Sequence, residues 1–391
     1  MPLAVNDDAP LLVIPTVHPR GDRRIVRCAQ VALNAGFRVH FLWLGEGDDV
    51  STDFAVSETL LPSPRNAAER IGRVRLTSRL ASTFDAEMWH IHDFYFLPQA
   101  KRWRKRTGKP VLYDVHEYYA DYYSAKLPLP AALRRQVARM LESYQAGAAR
   151  ELGAANVVTE KMAESFRAES VPVVISPNYP MLAQFDGLPS VAFAERRWRV
   201  LHIGTLSAEY GTRLLLDIVR RSASRELPFE FVAIERFPSP GHKQAFESLY
   251  REAGKPANLQ LIPPRPTHEM PELLKRAGFG LSLLAKGGQN ESAVPSKNYE
   301  NVMAGLVAVV SDRRAQRAFA TNYGVAVSSD GDNVDEILDR MLALATDPKS
   351  TEADLVSKST AARELFTWER AVEPGLSEMY VLLHTAVTNA R

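Results

Sequence analysis

The segment Pro295-Ser296-Lys297-Asn298-Tyr299-Glu300 follows a loop containing Gly287-Gly288 and opens a helical pattern that runs to about Ala304, where Gly305 stops it. A strand, a glycine-bearing loop and a helix start together make an anion site. The first N–H groups of a helix lack intrahelical partners, and the helix dipole favours negative charge there. Lys297 adds a full positive charge within the first turn, and Glu300, three residues on, can accept hydrogen bonds from ribose hydroxyls. The alternative is plain capping, with Ser296 as N-cap and Glu300 as an ordinary early-helix acid. A second polar set follows two apolar runs: His92-Asp93 after one, His116-Glu117 after the other. A histidine at a strand end can hydrogen-bond a sugar or stabilise charge near neutral pH; a satisfied core histidine is the bland alternative. In the loop of residues 16–24, Asp22 reads as a helix N-cap and Gly21 lets the backbone approach a ligand. Arg24 has two readings, a contact to phosphate or acceptor and a solvated surface residue.

Such residues need strands that end where they stand. Short apolar runs alternate with longer helical periods, as the βα units of a parallel sheet do. Strands are predicted at residues 11–14, 39–44, 88–92, 111–113, 156–159 and 171–175, with a helix over 25–35 closed by Gly36. Over residues 133–150 the apolar positions 133, 137, 140, 141, 144 and 148 fall on one helical face. Residues 176–196 hold Pro177, Pro180, Gly187 and Pro189 without a clear period, which predicts a linker. A second βα series follows, with strands at 199–204, 229–234, 259–262, 279–284, 307–310 and 325–327. The expected fold class is α/β: two Rossmann-like, doubly wound domains, residues 1–190 and 196–365, facing a central cleft. Ligands in such sheets bind at the carboxyl ends of the strands.

The motifs resemble those of GT-B glycosyltransferases of family 4. Residues 294–311 resemble the family's P-x-K-x-x-E-x-x-x-A-G-x-P-V-(V/I)-x-S block; Tyr113-Asp114-Val115-His116-Glu117 looks like its D-x-H-E segment. Residues 199–211 occupy the place of its G-R-(x)n-K-G element, Met270-Pro271-Glu272-Leu273-Leu274 matches a helix start, and Phe366-Thr367-Trp368-Glu369 matches the tryptophan segment before its last helix. Asp22-Arg23-Arg24 fits a D-x-R pattern in the first loop. The resemblance implies a retaining transfer from a nucleotide sugar to an acceptor hydroxyl, without a metal or other cofactor. It implies that Glu300 binds the ribose, that Ser296, Lys297, Gly204 and neighbouring loop amides hold the diphosphate, and that His116 lies near the transferred sugar. The last helix, within residues 366–391 and with apolar positions Val372, Leu376, Met379 and Leu383, is expected to pack back on the first domain.

Three positions depart from the family pattern. The paired acid falls at Ser292, with Glu291 one residue out as the catalytic candidate; the usual arginine after Gly204 is Thr205; the usual lysine before Gly211 is Tyr210. Stabilising a departing diphosphate is the main electrostatic task, so Lys297 and Arg213 are the candidates to compensate. Arg24, His92, Asp93 and Glu117 are assigned to the acceptor side, and Gly21 to the donor side.

Composition narrows the remaining classes. The chain has 391 residues, 46% hydrophobic and 24% charged, with a formal net charge of +2. That balance offers no global attraction to nucleic acid. The single cysteine, Cys28, rules out an internal disulfide and a cysteine-rich metal site and fits a reducing, cytoplasmic location. The sharpest charge feature is residues 101–109, Lys-Arg-Trp-Arg-Lys-Arg-Thr-Gly-Lys, with no acid between Phe94 and Tyr113. A basic helix with an aromatic residue can rest on an anionic membrane surface; a solvated helix is the other reading. Asp330-Gly331-Asp332 looks like a metal-binding acidic pair, but its place after a late strand predicts a turn. Two functional rivals stay open: a non-catalytic sugar-nucleotide-binding partner protein and a sugar-nucleotide epimerase.

Overall fold

The computed structural model describes residues 8–45, 57–188, 190–327 and 333–388; the acidic pair at 330–332 lies outside them. The chain forms two compact units, residues 1–178 with 371–391, and residues 179–370.

The first unit is built on strands β1 (Leu11–Pro15), β2 (Arg38–Leu44), β3 (Ser57–Leu61), β4 (Met88–Ile91), β5 (Val111–Val115), β6 (Gly153–Val157) and β7 (Val173–Ile175). They form one sheet in the order β3-β2-β1-β4-β5-β6-β7, every pairing parallel. The central strands are buried along most of their length, as apolar runs in a doubly covered parallel sheet must be. The edge strand β3 is mostly exposed and has no apolar alternation, so the sequence gives no sign of it. Asp22 caps the helix Arg23–Asn34, its carboxylate accepting from the amides of Arg24 and Ile25. The last helix, Glu373–Thr388, packs against that first helix and against β6 and β7, burying Leu376, Met379, Tyr380 and Leu383.

Two helices of this unit differ from the sequence reading. In Leu97–Thr107 the aromatic residue of the basic segment, Trp103, is buried and its indole N–H donates to Ser82 Oγ at 2.9 Å. Lys101 pairs with Glu151, and Lys109 with Asp85 and Glu87. This helix therefore offers charge at its surface while its tryptophan is withheld from lipid. In Ala131–Leu152 the buried residues are Ala138, Gln145, Ala146, Ala148, Ala149 and Leu152, whereas Leu133, Met140 and Tyr144 of the apolar stripe are exposed. Small alanines let this helix sit close to β5 and β6; Val137 and Leu141 are half-buried, and Leu133, Met140 and Tyr144 are turned outward.

The second unit holds β8 (Arg199–His202), β9 (Glu230–Ile234), β10 (Leu259–Ile262), β11 (Phe279–Ser282), β12 (Val307–Ser311) and β13 (Gly324–Val327), in the order β10-β9-β8-β11-β12-β13, again all parallel. The stretch read as a linker is partly anchored here. Phe185 and Phe193 are buried in this core, and the Arg196 guanidinium donates to the carbonyls of Val191, Ala277 and Gly305. Each sheet reverses its strand order once, between β1 and β4 and between β8 and β11. The carboxyl ends beside such a reversal leave a crevice for ligands.

Candidate functional site

In the first unit the chain leaving β1, β4 and β5 places His18, Asp93 and His116 together. His18 lies between two carboxylates, Nδ1 at 3.1 Å from Asp22 and Nε2 at 3.5 Å from Asp93, with its ring edge-on to that of His116 at 5.3 Å. Burial opposes a charge on this ring, but the bonds to Asp22 and Asp93 outweigh it and push its pKa up to about 10. His18 is therefore an imidazolium at neutral pH.

Beneath it lies Asp114, fully buried on β5. Arg24 Nε donates to both its oxygens, at 2.9 and 3.1 Å, and Asn156 Nδ2 donates at 2.7 Å. Ring nitrogens of His116, His92 and His90 stand at 3.4, 3.7 and 3.8 Å from the same carboxylate. Burial alone would raise the Asp114 pKa; Arg24 and the histidines around it hold it well below the usual range. Burial keeps His90 and His92 neutral. Arg24 also donates to the Ser176 carbonyl at 2.7 Å and to Asn178 at 2.9 Å. Neither reading of Arg24 from the sequence describes it: it is not solvated, and it is committed to a buried carboxylate. Of the other acceptor-side candidates, His92 and Asp93 belong to this cluster and Glu117 is exposed. Gly21 has φ 82°, a left-handed turn that leads into the Asp22 cap.

Three sets of groups here have ligand atoms within 4.8 Å of one another: His18, Asp93 and His116; His92, Asp114 and His116; Cys28, His90 and His92. The Arg24 guanidinium already satisfies Asp114 in the second, and burial keeps the Cys28 thiol protonated in the third. The first has the most open chemistry for a cation, although His18 already serves as the counter-charge of its acid.

The second unit presents the opposite situation. The helix Ser296–Met303 has Pro295 as its N-cap, with no side-chain capping bond. Ser296 is thus the first helical residue and not the cap. Lys297 is buried, and its ammonium sits over the Tyr210 ring, 5.3 Å from the centroid. A Cβ at Gly204 would take the space of that ammonium and of the His202 ring, which explains the glycine. Burial lowers the Lys297 pKa to about 8; Glu300 pulls the other way and does not offset it. His202 beneath is neutral, its pKa lowered to about 3 by burial and by Lys297. The Asn298 side-chain amide, also fully buried, has no hydrogen-bond partner. Glu300 and Thr205 are half-buried; Arg213 is exposed. Glu291 accepts from the Gly287 amide at 3.0 Å and from Arg313 at 2.9 Å, so it braces its own loop.

Sequence reasoning missed the role of Asp114, His18, His90 and Asn156. Asp114 stood in the D-x-H-E segment, but nothing local marked the others, because their contacts join distant strands.

No protein-family model and no curated protein sequence matches the chain. Solved structures do. The HepE protein of Anabaena in complex with UDP and glucose aligns over 98% of this chain and 99% of its own, with TM-score 0.67 at 11% identity. Sucrose-phosphate synthase of Thermosynechococcus elongatus aligns over 97% and 100%, with TM-score 0.69 at 13% identity. An Escherichia coli structure described as trehalose-6-phosphate bound with UDP-2-fluoro glucose aligns over 96% and 99%, with TM-score 0.64 at 15% identity. At such identities the likeness is one of architecture, and the chain has the GT-B fold of these glycosyltransferases.

Proposed function

We propose that the chain is a retaining glycosyltransferase that moves a sugar from a nucleotide-sugar donor to an acceptor hydroxyl. The observation that carries the reading is Lys297, a buried ammonium that its own fold leaves undercompensated at an uncapped helix start. A diphosphate supplies the missing negative charge, and the first amides of the helix, which no side chain caps, can donate to its oxygens. Thr205 adds a hydroxyl, and Glu300 accepts from the ribose. Tyr210, in place of a second lysine, supports Lys297 with the face of its ring. The structural likeness supports the same donor class, since two of the similar structures hold UDP or a UDP-sugar analogue.

In the first unit His116 is the group assigned to the transferred sugar, with Asp114 and His18 as positioning residues that fix its ring and the local charge. Glu291 serves as a loop brace. Charge on the leaving group is met by Lys297 and helix amides, so the reaction proceeds without a metal.

The test is binding followed by product. Thermal shift against nucleoside diphosphates identifies the base; Glu300→Ala and Lys297→Ala should weaken the response without unfolding the protein. Unchanged affinity in both variants would sink the donor assignment. Thr205 and Tyr210, which replace two customary charges, favour one rival, a binder that transfers nothing. A transferase releases nucleoside diphosphate in proportion to glycosylated acceptor, an epimerase converts one sugar nucleotide to another without acceptor, and a binder yields neither product.

A further inference from the structure

Residues 125–133, Ala-Lys-Leu-Pro-Leu-Pro-Ala-Ala-Leu, are all exposed. They join the helix Tyr119–Ala125 to the helix Ala131–Leu152. Eight of the nine are apolar or proline, an unusual stretch to leave in water. Helical spacing extends the surface. Leu133, Met140 and Tyr144 are 47%, 65% and 43% exposed, and positions 133, 140 and 144 share one stripe. The stripe that faces the core is a different one, led by Ala138, Gln145, Ala149 and Leu152. One helix therefore carries two apolar stripes, and only one is covered by the first unit. Charge accompanies the second. Between Asp121 and Glu142 the chain has Lys126, Arg134, Arg135 and Arg139 and no acid. Lys126 lies over the ring of Tyr122, itself exposed, at 3.7 Å from the centroid.

We propose that this surface, residues 122–144, docks the protein on an anionic lipid bilayer. Apolar side chains on a proline-stiffened loop can enter the headgroup boundary while flanking cations meet lipid phosphates. Each such cation contributes about 1 kcal/mol near an anionic surface. Pro128 and Pro130 lack the N–H groups that pairing with another protein's strand would use. A two-fold contact with a second copy would set the four cations against the same four, at an electrostatic cost. The surface takes over the membrane role that the sequence suggested for residues 101–109, where Trp103 is buried.

The test is flotation of the full chain with vesicles of phosphatidylcholine alone or mixed with phosphatidylglycerol. Wild-type protein should float with the mixed vesicles only and be released by high salt. Arg135→Gln with Arg139→Gln should weaken that binding roughly 30-fold, two cations at about 1 kcal/mol each. Leu129→Glu with Leu133→Glu should abolish it. Flotation of both variants like wild type would overturn the proposal. So would wild-type self-association that the glutamate variant abolishes without any lipid binding, since that assigns the surface to a second copy. The melting temperature of the same variants without ligand reports folding, and their shift with nucleoside diphosphates reports the donor site. That shift also separates this inference from the transferase reading: flotation without any nucleotide response supports the membrane surface and removes the donor site alone.

Discussion

On β5 a buried carboxylate, Asp114, is met by Arg24, Asn156 and three histidines; at the start of the helix Ser296–Met303 a buried ammonium, Lys297, is met by an aromatic ring and a glycine. Both are charges removed from water, and each costs several kcal/mol unless something answers it. The first unit answers its charge from within, with Arg24 on Asp114 and two acids on His18. The second does not. A saturated network fixes geometry and has little attraction left for a ligand ion, whereas an undercompensated charge is itself an attraction. The contrast is what the proposed division of roles rests on, positioning in one unit and anion capture in the other.

Removing Asp114 gives the largest expected effect. Asp114→Asn leaves the Arg24 guanidinium buried without its counter-charge and should destabilise the protein by about 3–5 kcal/mol in denaturant titration. A neutral result would break the contrast, because the first network would then not depend on its anion. Lys297→Met should do the reverse to the free protein. A pKa held near 8 against an ordinary 10.5 implies that the charged form costs roughly 3 kcal/mol at neutral pH, so the variant should be more stable by up to that amount. Its nucleoside diphosphate affinity, read by calorimetry, should fall roughly 10- to 100-fold. A less stable variant with unchanged affinity would make Lys297 an ordinary structural residue.

Titration sharpens the same comparison. Lys297 has a folded pKa below its unfolded value, so its contribution to stability rises with pH between about 8 and 10.5. Nucleotide affinity should fall as pH rises through 8, by at most about tenfold per unit, as the ammonium loses its proton. His18 has the opposite sign. Its folded pKa is raised to about 10 from 6.5, so its stabilising contribution is complete below 6.5 and lost as pH climbs through 10. Subtracting the stability profiles of His18→Gln and Lys297→Met from wild type should give slopes of opposite sign; parallel profiles would contradict the assignment. Chelation is the smallest effect, expected to leave nucleotide binding and transfer unchanged. Loss of transfer on chelation, restored by a divalent cation, would overturn the metal-free reading and make His18, Asp93 and His116 the first candidate ligands to test.

Central strands of both sheets were legible because burial on both faces makes them plain apolar runs. β3 was not, since an exposed edge has no need of such a run. The packing of the helix Ala131–Leu152 was only partly legible: Val137, Leu141 and Ala148 of the shared face are half-buried or buried, but most of the close contact is made by alanines, which leave a weaker signal than leucine or tyrosine. Lys297, Glu300 and His116 were singled out through motif order, and their roles are what the variants above test. Arg24 was visible as a residue and not as a role, because its partner lies 90 positions away and only the sheet brings them together. Ser296 as N-cap failed for a local reason: Pro295 occupies the cap and contributes no side-chain acceptor.

The undercompensated ammonium of Lys297 also bears on the end of a catalytic cycle. On the transferase reading, glycosyl transfer leaves behind a nucleoside diphosphate with more charge on its terminal phosphate than the donor had. The group that draws the donor in therefore holds the spent nucleotide more tightly still. On that reading the spent nucleotide competes with the donor for the same ammonium, so product inhibition is the expected consequence of leaving Lys297 undercompensated.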